Sequence, residues 1–477
     1  MFGYTRLYIA GEPRDASDGA RHTVVCPATE ESVAEVAWAG AADADIALKA
    51  AAEGFKHWSA LSLGRRTEWL HRLRDAVAEK GELLRDCVMH EMGKPWDATQ
   101  EDLDTVTNAL TFYPEEMRRI RGELLPDADG DFDHQIVYEP VGVVVAVLAW
   151  NFPLLNLGFK LGPALSAGCS LVLKPSPKSP LSAYAFGEIC AEIDFPPGVI
   201  NVLCGPDDVV GPALTVSRIP AAVTVIGSIE TGAAVMRQGA TSIKRYSMEL
   251  GGNAPVLVFD DADIELAVET VAALKFGNCG QICVAPNRVF IQRGIAAQFT
   301  DGILAAASQV KLGFGRDSDA TMGPLIDADA RERVQDLVED ALNGGAELLA
   351  GGDAPEMPEQ GYFLPPTVLG DVTPNMRVFR EEIFGPVVSL IEFDDEDDAV
   401  RQANDTEAGL ASYVFTNDVG RVQRVARALR FGEVQVNGFK YGIDLPHGGI
   451  KQSGIGHDCS HLALLDYLDR KRITIAR

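Results

Sequence analysis

Two hydrophobic rhythms alternate along the chain, and the places where one gives way to the other divide it. Residues 1–13 read as a short strand and a turn. From 41 to 90 apolar side chains recur at spacings of three and four (Leu48, Ala51, Phe55 and Trp58, then Leu70, Leu73 and Val77), which predicts amphipathic helices. A further helix is predicted over about 99–121, kinked at Pro114 and stopped by Gly122. The acidic stretch 123–134, with Pro126-Asp127-Ala128-Asp129-Gly130 inside it, interrupts this pattern and predicts a loop or a protruding hairpin.

The rhythm then changes. Residues 137–150 form a β-branched apolar run, and 170–174, 199–203 and 221–226 read as buried strands, with helical segments at 154–167 and 182–193 between them. Continuous apolar strands alternating with helices predict a parallel sheet covered on both faces, as in a dinucleotide-binding fold. A second alternation follows Gly251-Gly252, with strands at 256–259, 288–292, 387–393 and 412–415 and helices at 264–276, 296–309 and 328–343. The tail 472–475 is β-prone and needs a partner strand to cover it.

At 477 residues the chain is too long for one core. Its 47% hydrophobic and 23% charged residues are those of a soluble globular protein, and a net charge of −27 argues against nucleic acid or an anionic membrane as partner. The eight cysteines are scattered as expected of reduced thiols, and there is neither an H-E-x-x-H nor a paired Cys/His spacing, so no metal is expected. With no signal-like start and no apolar run near the ~20 residues of a membrane span, a cytoplasmic location is expected.

Candidate chemistry gathers at five places. Asn278-Cys279-Gly280-Gln281-Ile282-Cys283 closes an apolar helical run, so Cys283 is a candidate nucleophile in an irregular loop with free backbone amides, although most free cysteines are simply small buried hydrophobes. Ala149-Trp150-Asn151-Phe152-Pro153 ends an apolar strand, where parallel sheets hold ligands, and Asn151 offers an amide donor there or else caps a turn. Ile226-Gly227-Ser228 runs from a strand into a helix, a geometry suited to phosphate. Glu249 beside Gly251-Gly252 is a carboxylate at a domain junction, and Glu382-Ile383-Phe384-Gly385-Pro386 sets a carboxylate and an aromatic against a turn.

In this order, and with Lys174-Pro175-Ser176, Met322-Gly323-Pro324-Leu325, Pro365-Pro366-Thr367, Val436-Asn437 and Pro446-His447-Gly448-Gly449-Ile450-Lys451-Gln452-Ser453-Gly454, these segments resemble the aldehyde dehydrogenase superfamily along essentially the whole chain. The resemblance implies an α/β subunit with a Rossmann-type cofactor domain at 1–122 and 143–252, an α/β catalytic domain at 253–446 and a small β oligomerisation element from 123–142 and 459–477. It implies Cys283 as nucleophile, Glu249 as base, and the Asn151 side chain with the Cys283 N–H as oxyanion hole. Trp150, Lys174, Ser176, Gly227 and Ser228 would hold the adenosine and pyrophosphate end of NAD or NADP, and Glu382 and Phe384 the nicotinamide end.

The implied reaction oxidises a small polar, semialdehyde-like aldehyde to its acid through a thiohemiacetal and a thioester, in a homodimer or homotetramer. A coenzyme A acylating relative and a non-catalytic nucleotide- or aldehyde-binding scaffold are the alternatives. The nearest branches are those acting on semialdehydes and aminoaldehydes. Three departures bear on selectivity. Pro177, followed by Lys178, stands where NAD-preferring relatives carry a Glu, which opens the site to NADP. Gly277 replaces the Arg that precedes the loop Asn in succinate semialdehyde dehydrogenases. The tunnel position falls on Leu157, with Asn156 and Phe159 beside it, and Arg118, Arg119, Arg121 and Lys440 are candidates either for an anion site or for a solvated face. Cys279 is a candidate partner for an oxidised Cys283 or a filler of space.

Overall fold

The computed structural model describes residues 2–316, 318–352 and 357–477, so Met1 of the N-terminal segment lies outside the described residues. An eight-stranded sheet has, in spatial order, Gly454–Ile455, Arg245–Glu249, Ala222–Ile226, Val143–Val147, Ser170–Lys174, Ile200–Val202, Leu7–Ile9 and Glu12–Arg14. The five strands from Arg245–Glu249 to Ile200–Val202 are parallel, and antiparallel pieces close both edges. Chain order reverses between Val143–Val147 and Ala222–Ile226, and at such a switch point a crevice opens beyond the carboxyl ends of the strands. Asn151 follows one of these two strands and Gly227 the other.

A seven-stranded sheet is built on Ala254–Val258, with Pro286–Gln292, Val387–Phe393, Thr367–Gly370 and Glu347–Ala350 on one side and Ala411–Phe415 and Glu433–Val436 on the other. Its pairs are parallel except that of Glu347–Ala350. Leu250-Gly251-Gly252-Asn253 carries the chain from the first sheet into the second, so Glu249 lies at the seam between them.

The apolar run 137–150 is not one strand. Pro140 ends Phe132–Pro140, and Gly142, at φ +133, turns the chain into Val143–Val147, which belongs to a different sheet. Phe132–Pro140 pairs with Glu123–Leu125 as a hairpin and with Leu468–Ala476 along its whole length, in the order tail, centre, hairpin. Both outer strands of this three-stranded sheet are edges, and Leu124, Phe132, Ile473 and Ile475 are exposed on it. The short strand Gly454–Ile455, from the stretch between the predicted catalytic domain and the tail, returns to the first sheet beside Arg245–Glu249. Sequence periodicity also passed over the helix Asp207–Val216 and the antiparallel pair Arg21–Val25 and Ser32–Ala37.

Candidate active site

The Ile264–Phe276 helix ends below the cysteine loop. Gly277–Gly280 forms a short 3-10 turn in which Asn278 and Cys279 take left-handed backbone angles, so the loop is not a continuation of the helix. Gly280 is required twice over: its φ is +69, and a Cβ would lie 2.2 Å from the carbonyl oxygen of Gly385. That close approach sets the cysteine loop against Glu382-Ile383-Phe384-Gly385. The buried Gln281 ties the loop down on its other side, donating from Nε2 to the carbonyls of Asn278 and Pro324 and accepting at Oε1 from the Ile326 N–H at 2.9 Å. Cys279 is fully buried in the core of the second sheet, whereas Cys283 is half-buried and faces the cleft.

Asn151 reaches the same loop from the first sheet. Its Nδ2 donates to the Gln281 carbonyl at 3.0 Å, and its Oδ1 accepts from Asn156 Nδ2 at 3.2 Å. An amide nitrogen has two hydrogens, so this frame uses one and leaves the other for a ligand oxygen. The turn beyond Asn151 is anchored by the buried Asp102, whose Oδ1 accepts from the N–H groups of Leu154 and Leu155 at the start of the Pro153–Ala167 helix, while Oδ2 pairs with buried Lys94 at 3.0 Å.

Glu249 is buried as the last residue of its strand. Its Oε1 accepts from the Gly449 N–H at 3.0 Å, and Oε2 has no hydrogen-bond partner but lies 3.6 Å from His447 Nε2. Burial raises its carboxyl to about 7, against the pull of His447. His447 Nδ1 is held at 2.7 Å by Glu433 Oε1, and the imidazole lines the same cavity as Cys283. Burial raises the Cys283 thiol, and the histidine works against that rise. Burial alone would lower His447, but its interactions with Cys283, Glu249 and Glu433 outweigh it and hold the ring well above the usual imidazole value. His447 and Glu433 were not among the sequence-predicted site residues. Pro446-His447-Gly448-Gly449 registered only as a motif match, and nothing in the chain order pairs it with Glu433.

Glu382 sits opposite. Its Oε1 accepts from the Gly252 N–H at 2.9 Å, and burial raises its carboxyl to about 7. Phe384, held at φ +52, places its ring edge-on to Trp150 with centroids 5.5 Å apart. Gly227 and Ser228 lead into the Ile229–Gly239 helix, where Ser228 Oγ caps the Thr231 N–H. Cys283, Asn151, Glu249, Trp150, Gly227, Ser228, Glu382 and Phe384 thus line one cavity of about 1980 Å³.

Two predicted cofactor residues are not in that lining. Lys174 ends the neighbouring strand, and its buried ammonium is paired with Asp207, while Ser176 Oγ accepts from the Lys178 N–H. The cleft has the features a nicotinamide dinucleotide needs: a helix N-terminus after a Gly-Ser turn at the switch point for pyrophosphate, and a buried carboxylate and aromatic pair at the far end.

The predicted tunnel position is corrected. Leu157 is fully buried in the core of the first sheet, and Leu155, Asn156 and Phe159 line the cavity instead. Residues 155 and 159 share a helix face, which 157 does not. Arg118 and Arg119 are exposed and paired with Glu115 and Glu116, Arg121 is exposed, and none of the three lines the cavity, although Lys440 does. At the outer end the lining includes Asp97, Glu101 and Asp104.

Residues 14–473 match the aldehyde dehydrogenase family. The chain is 39% identical over 468 residues to the succinate-semialdehyde dehydrogenase (NADP(+)) of Escherichia coli K12, covering 98% of this chain and 97% of that protein. It is 39% identical over 471 residues to the 3-sulfolactaldehyde dehydrogenase of Pseudomonas putida, covering 98% and 96%. The crystal structure of a succinate-semialdehyde dehydrogenase from Burkholderia pseudomallei superposes with a TM-score of 0.97 at 38% identity, over 99% of this chain and 98% of that one. A betaine aldehyde dehydrogenase from Staphylococcus aureus in complex with NAD+ gives a TM-score of 0.96 at 34% identity, over 99% and 95%. No helix among the described residues is long and apolar enough to cross a membrane.

Proposed function

Because the chain belongs to the aldehyde dehydrogenase family, we propose that its cleft converts a small polar, semialdehyde-like aldehyde to the carboxylic acid, with Cys283 as nucleophile, Asn151 as oxyanion donor and Glu249 as base. The enzyme is an oxidoreductase acting on the aldehyde group with NAD or NADP. One observation carries the assignment of roles: the three residues meet in a single cavity although they come from two sheets and from positions far apart in the chain.

Cys283 Sγ attacks the aldehyde carbon, and the carbonyl electron pair moves to oxygen. The free Asn151 N–H and the Cys283 backbone N–H hold that oxygen, an arrangement worth about 3 kcal/mol per donor. The dinucleotide, when bound, supplies the acceptor for the hydride that leaves the carbon, and a thioester on Cys283 results. Glu249 Oε2, which has no other hydrogen-bond partner, takes a proton from water as the water oxygen adds to the thioester, and the carbon–sulfur bond then breaks to release the acid. Glu382 and Phe384 would orient the nicotinamide ribose and ring, with Trp150, Gly227 and Ser228 toward the pyrophosphate and Lys174 and Ser176 farther along the same sheet edge. The relatives named above are dehydrogenases, and none carries the coenzyme A acylating alternative.

For the far end of the substrate, the relatives' names point to a remote acid group, and Lys440 is a cation in the lining. A second reading, an amino- or hydroxy-aldehyde, is favoured by Gly277 and by the carboxylates Asp97, Glu101 and Asp104 at the mouth. We read residues 1–122 and 143–252 as the cofactor domain, 253–446 as the catalytic domain, and 123–142 with 459–477 as an element that pairs subunits of a cytoplasmic homo-oligomer through its open sheet edges. Production of reduced cofactor from short aldehydes without coenzyme A, abolished in Cys283→Ala, tests the roles. The ranking of succinate semialdehyde, lactaldehyde and aminobutyraldehyde by kcat/KM with each cofactor tests the substrate. Size-exclusion chromatography of a chain lacking the tail strand tests the assembly.

A further inference from the structure

An asparagine serves an oxyanion hole only if its amide faces the right way. Turned by half a rotation about Cβ–Cγ, the Asn151 side chain keeps its shape but offers the substrate oxygen a carbonyl oxygen instead of an N–H. A short chain of amides, closed at each end by a backbone carbonyl that can only accept, opposes the turned form. At one end Asn151 Nδ2 donates to the Gln281 carbonyl at 3.0 Å. At the other, Asn156 Nδ2 donates to the Ala149 carbonyl at 3.2 Å, which fixes the Asn156 amide, and the same nitrogen donates to Asn151 Oδ1 at 3.2 Å. Asn278 Nδ2 bonds to the Asn151 carbonyl at 3.0 Å and to the Gln281 carbonyl at 3.2 Å, so the backbone beneath the pair is held as well.

We propose that Asn156 is the positioning residue of the oxyanion hole: its Nδ2 engages Asn151 Oδ1, so that the N–H which the Gln281 carbonyl leaves over is the group that meets the substrate oxygen. The inference rests on Asn151 being the oxyanion donor.

The placement of Asn156 supports it. The residue stands in the first turn of the Pro153–Ala167 helix, 4% exposed, with Leu154 and Leu157 of the same turn fully buried. An amide buried in such an apolar turn costs free energy unless its hydrogens are bonded, and both of them are. The Asn156 backbone N–H donates to the Phe152 carbonyl at 2.9 Å, so the helix start that carries Asn156 is bonded to the residue next to Asn151. In the turned form Asn151 would set Oδ1 against the Gln281 oxygen and Nδ2 against Asn156 Nδ2, replacing each of these two bonds by a contact of like with like. Without Asn156, only the Gln281 contact opposes the turn. Asn156 also lines the cleft, so a direct contact with substrate is the competing role that a test has to separate.

The test is a double-mutant cycle on kcat/KM for one short aldehyde, measured in the full-length enzyme at saturating dinucleotide. Asn156→Leu keeps much of the volume and removes the donor, and should lower kcat/KM by about tenfold, the worth of one hydrogen bond. Asn156→Asp keeps the shape but puts an acceptor where the donor was and draws the Asn151 N–H toward itself. It should lower kcat/KM by about 10²–10³, the loss of an oxyanion donor. In an Asn151→Ala background neither change should cost more than about twofold, because no amide is left to orient. Equal losses in the two backgrounds, which a purely structural role or a direct substrate contact produces, would overturn the proposal, as would wild-type kcat/KM in Asn156→Leu. The leucine cycle decides alone if the aspartate variant does not fold. Should Asn151→Ala itself stay within about threefold of wild type, the reading on which the proposal rests fails instead.

Discussion

Replacing Asn151 with alanine tests the oxyanion assignment with little risk to the fold. The substitution removes the N–H left free for the substrate oxygen, together with the hydrogen bonds to Gln281 O and from Asn156 Nδ2. Neither of those two partners is orphaned. The Gln281 carbonyl keeps a donor from Asn278 Nδ2 at 3.2 Å, and Asn156 Nδ2 keeps the Ala149 carbonyl at 3.2 Å. The structural loss is thus two ordinary hydrogen bonds, about 1 kcal/mol each, with no buried group left unpaired. The catalytic loss is larger, because the donor acts where charge develops: about 3–4 kcal/mol, or roughly 10²–10³ in rate. Since the oxygen becomes charged in the first chemical step, the loss belongs in kcat/KM for aldehyde, which reports acylation, and in the pre-steady-state burst of reduced cofactor. Dinucleotide affinity should not change. The measurement is stopped-flow absorbance of the reduced nicotinamide, with a thermal melt as control. A kcat/KM within about threefold of wild type, in a protein that melts normally, would refute the reasoning.

Glu249→Gln should retain a full burst of reduced cofactor and then stall, with the thioester detectable on Cys283 by intact-mass spectrometry; a steady state as fast as wild type would remove Glu249 from the base role. The wild-type hydrolytic limb should rise with pH through about 7, because burial raises the Glu249 carboxyl and only the ionised form accepts a proton. Single-turnover acid release measured across that range checks this, and a flat profile contradicts it. Asp102→Ala strips the partner from buried Lys94 and the cap from the helix that follows Asn151, so unfolding free energy from denaturant titration should fall by about 3–5 kcal/mol; a loss under about 1 kcal/mol would show that Lys94 is satisfied otherwise.

Several elements were legible from the sequence to the residue. The helices Ile264–Phe276 and Ala328–Asn343 and the strands Ser170–Lys174 and Val387–Phe393 have the bounds that their periodicity predicted. Spacing of apolar positions is a local property, set by 3.6 or two residues per repeat. The order of short motifs was enough to indicate the family and its implied nucleophile, base and oxyanion donor.

Tertiary structure decided the rest, because it depends on which distant segments pack together. The β-branched apolar run 137–150 is continuous in the sequence, yet Pro140 and Gly142 divide it between two sheets. Leu157 and Phe159 are both apolar residues of one helix, and only the packing of that helix sends the first into the core and the second into the cleft. Glu249 receives its hydrogen bond from Gly449, 200 positions away, and the same loop delivers His447 to Glu433. No periodicity reaches across such separations. The sequence by itself was enough to indicate the family, because short motifs keep their order along the chain, and the folded chain alone set a buried histidine between two carboxylates that lie far apart in that order.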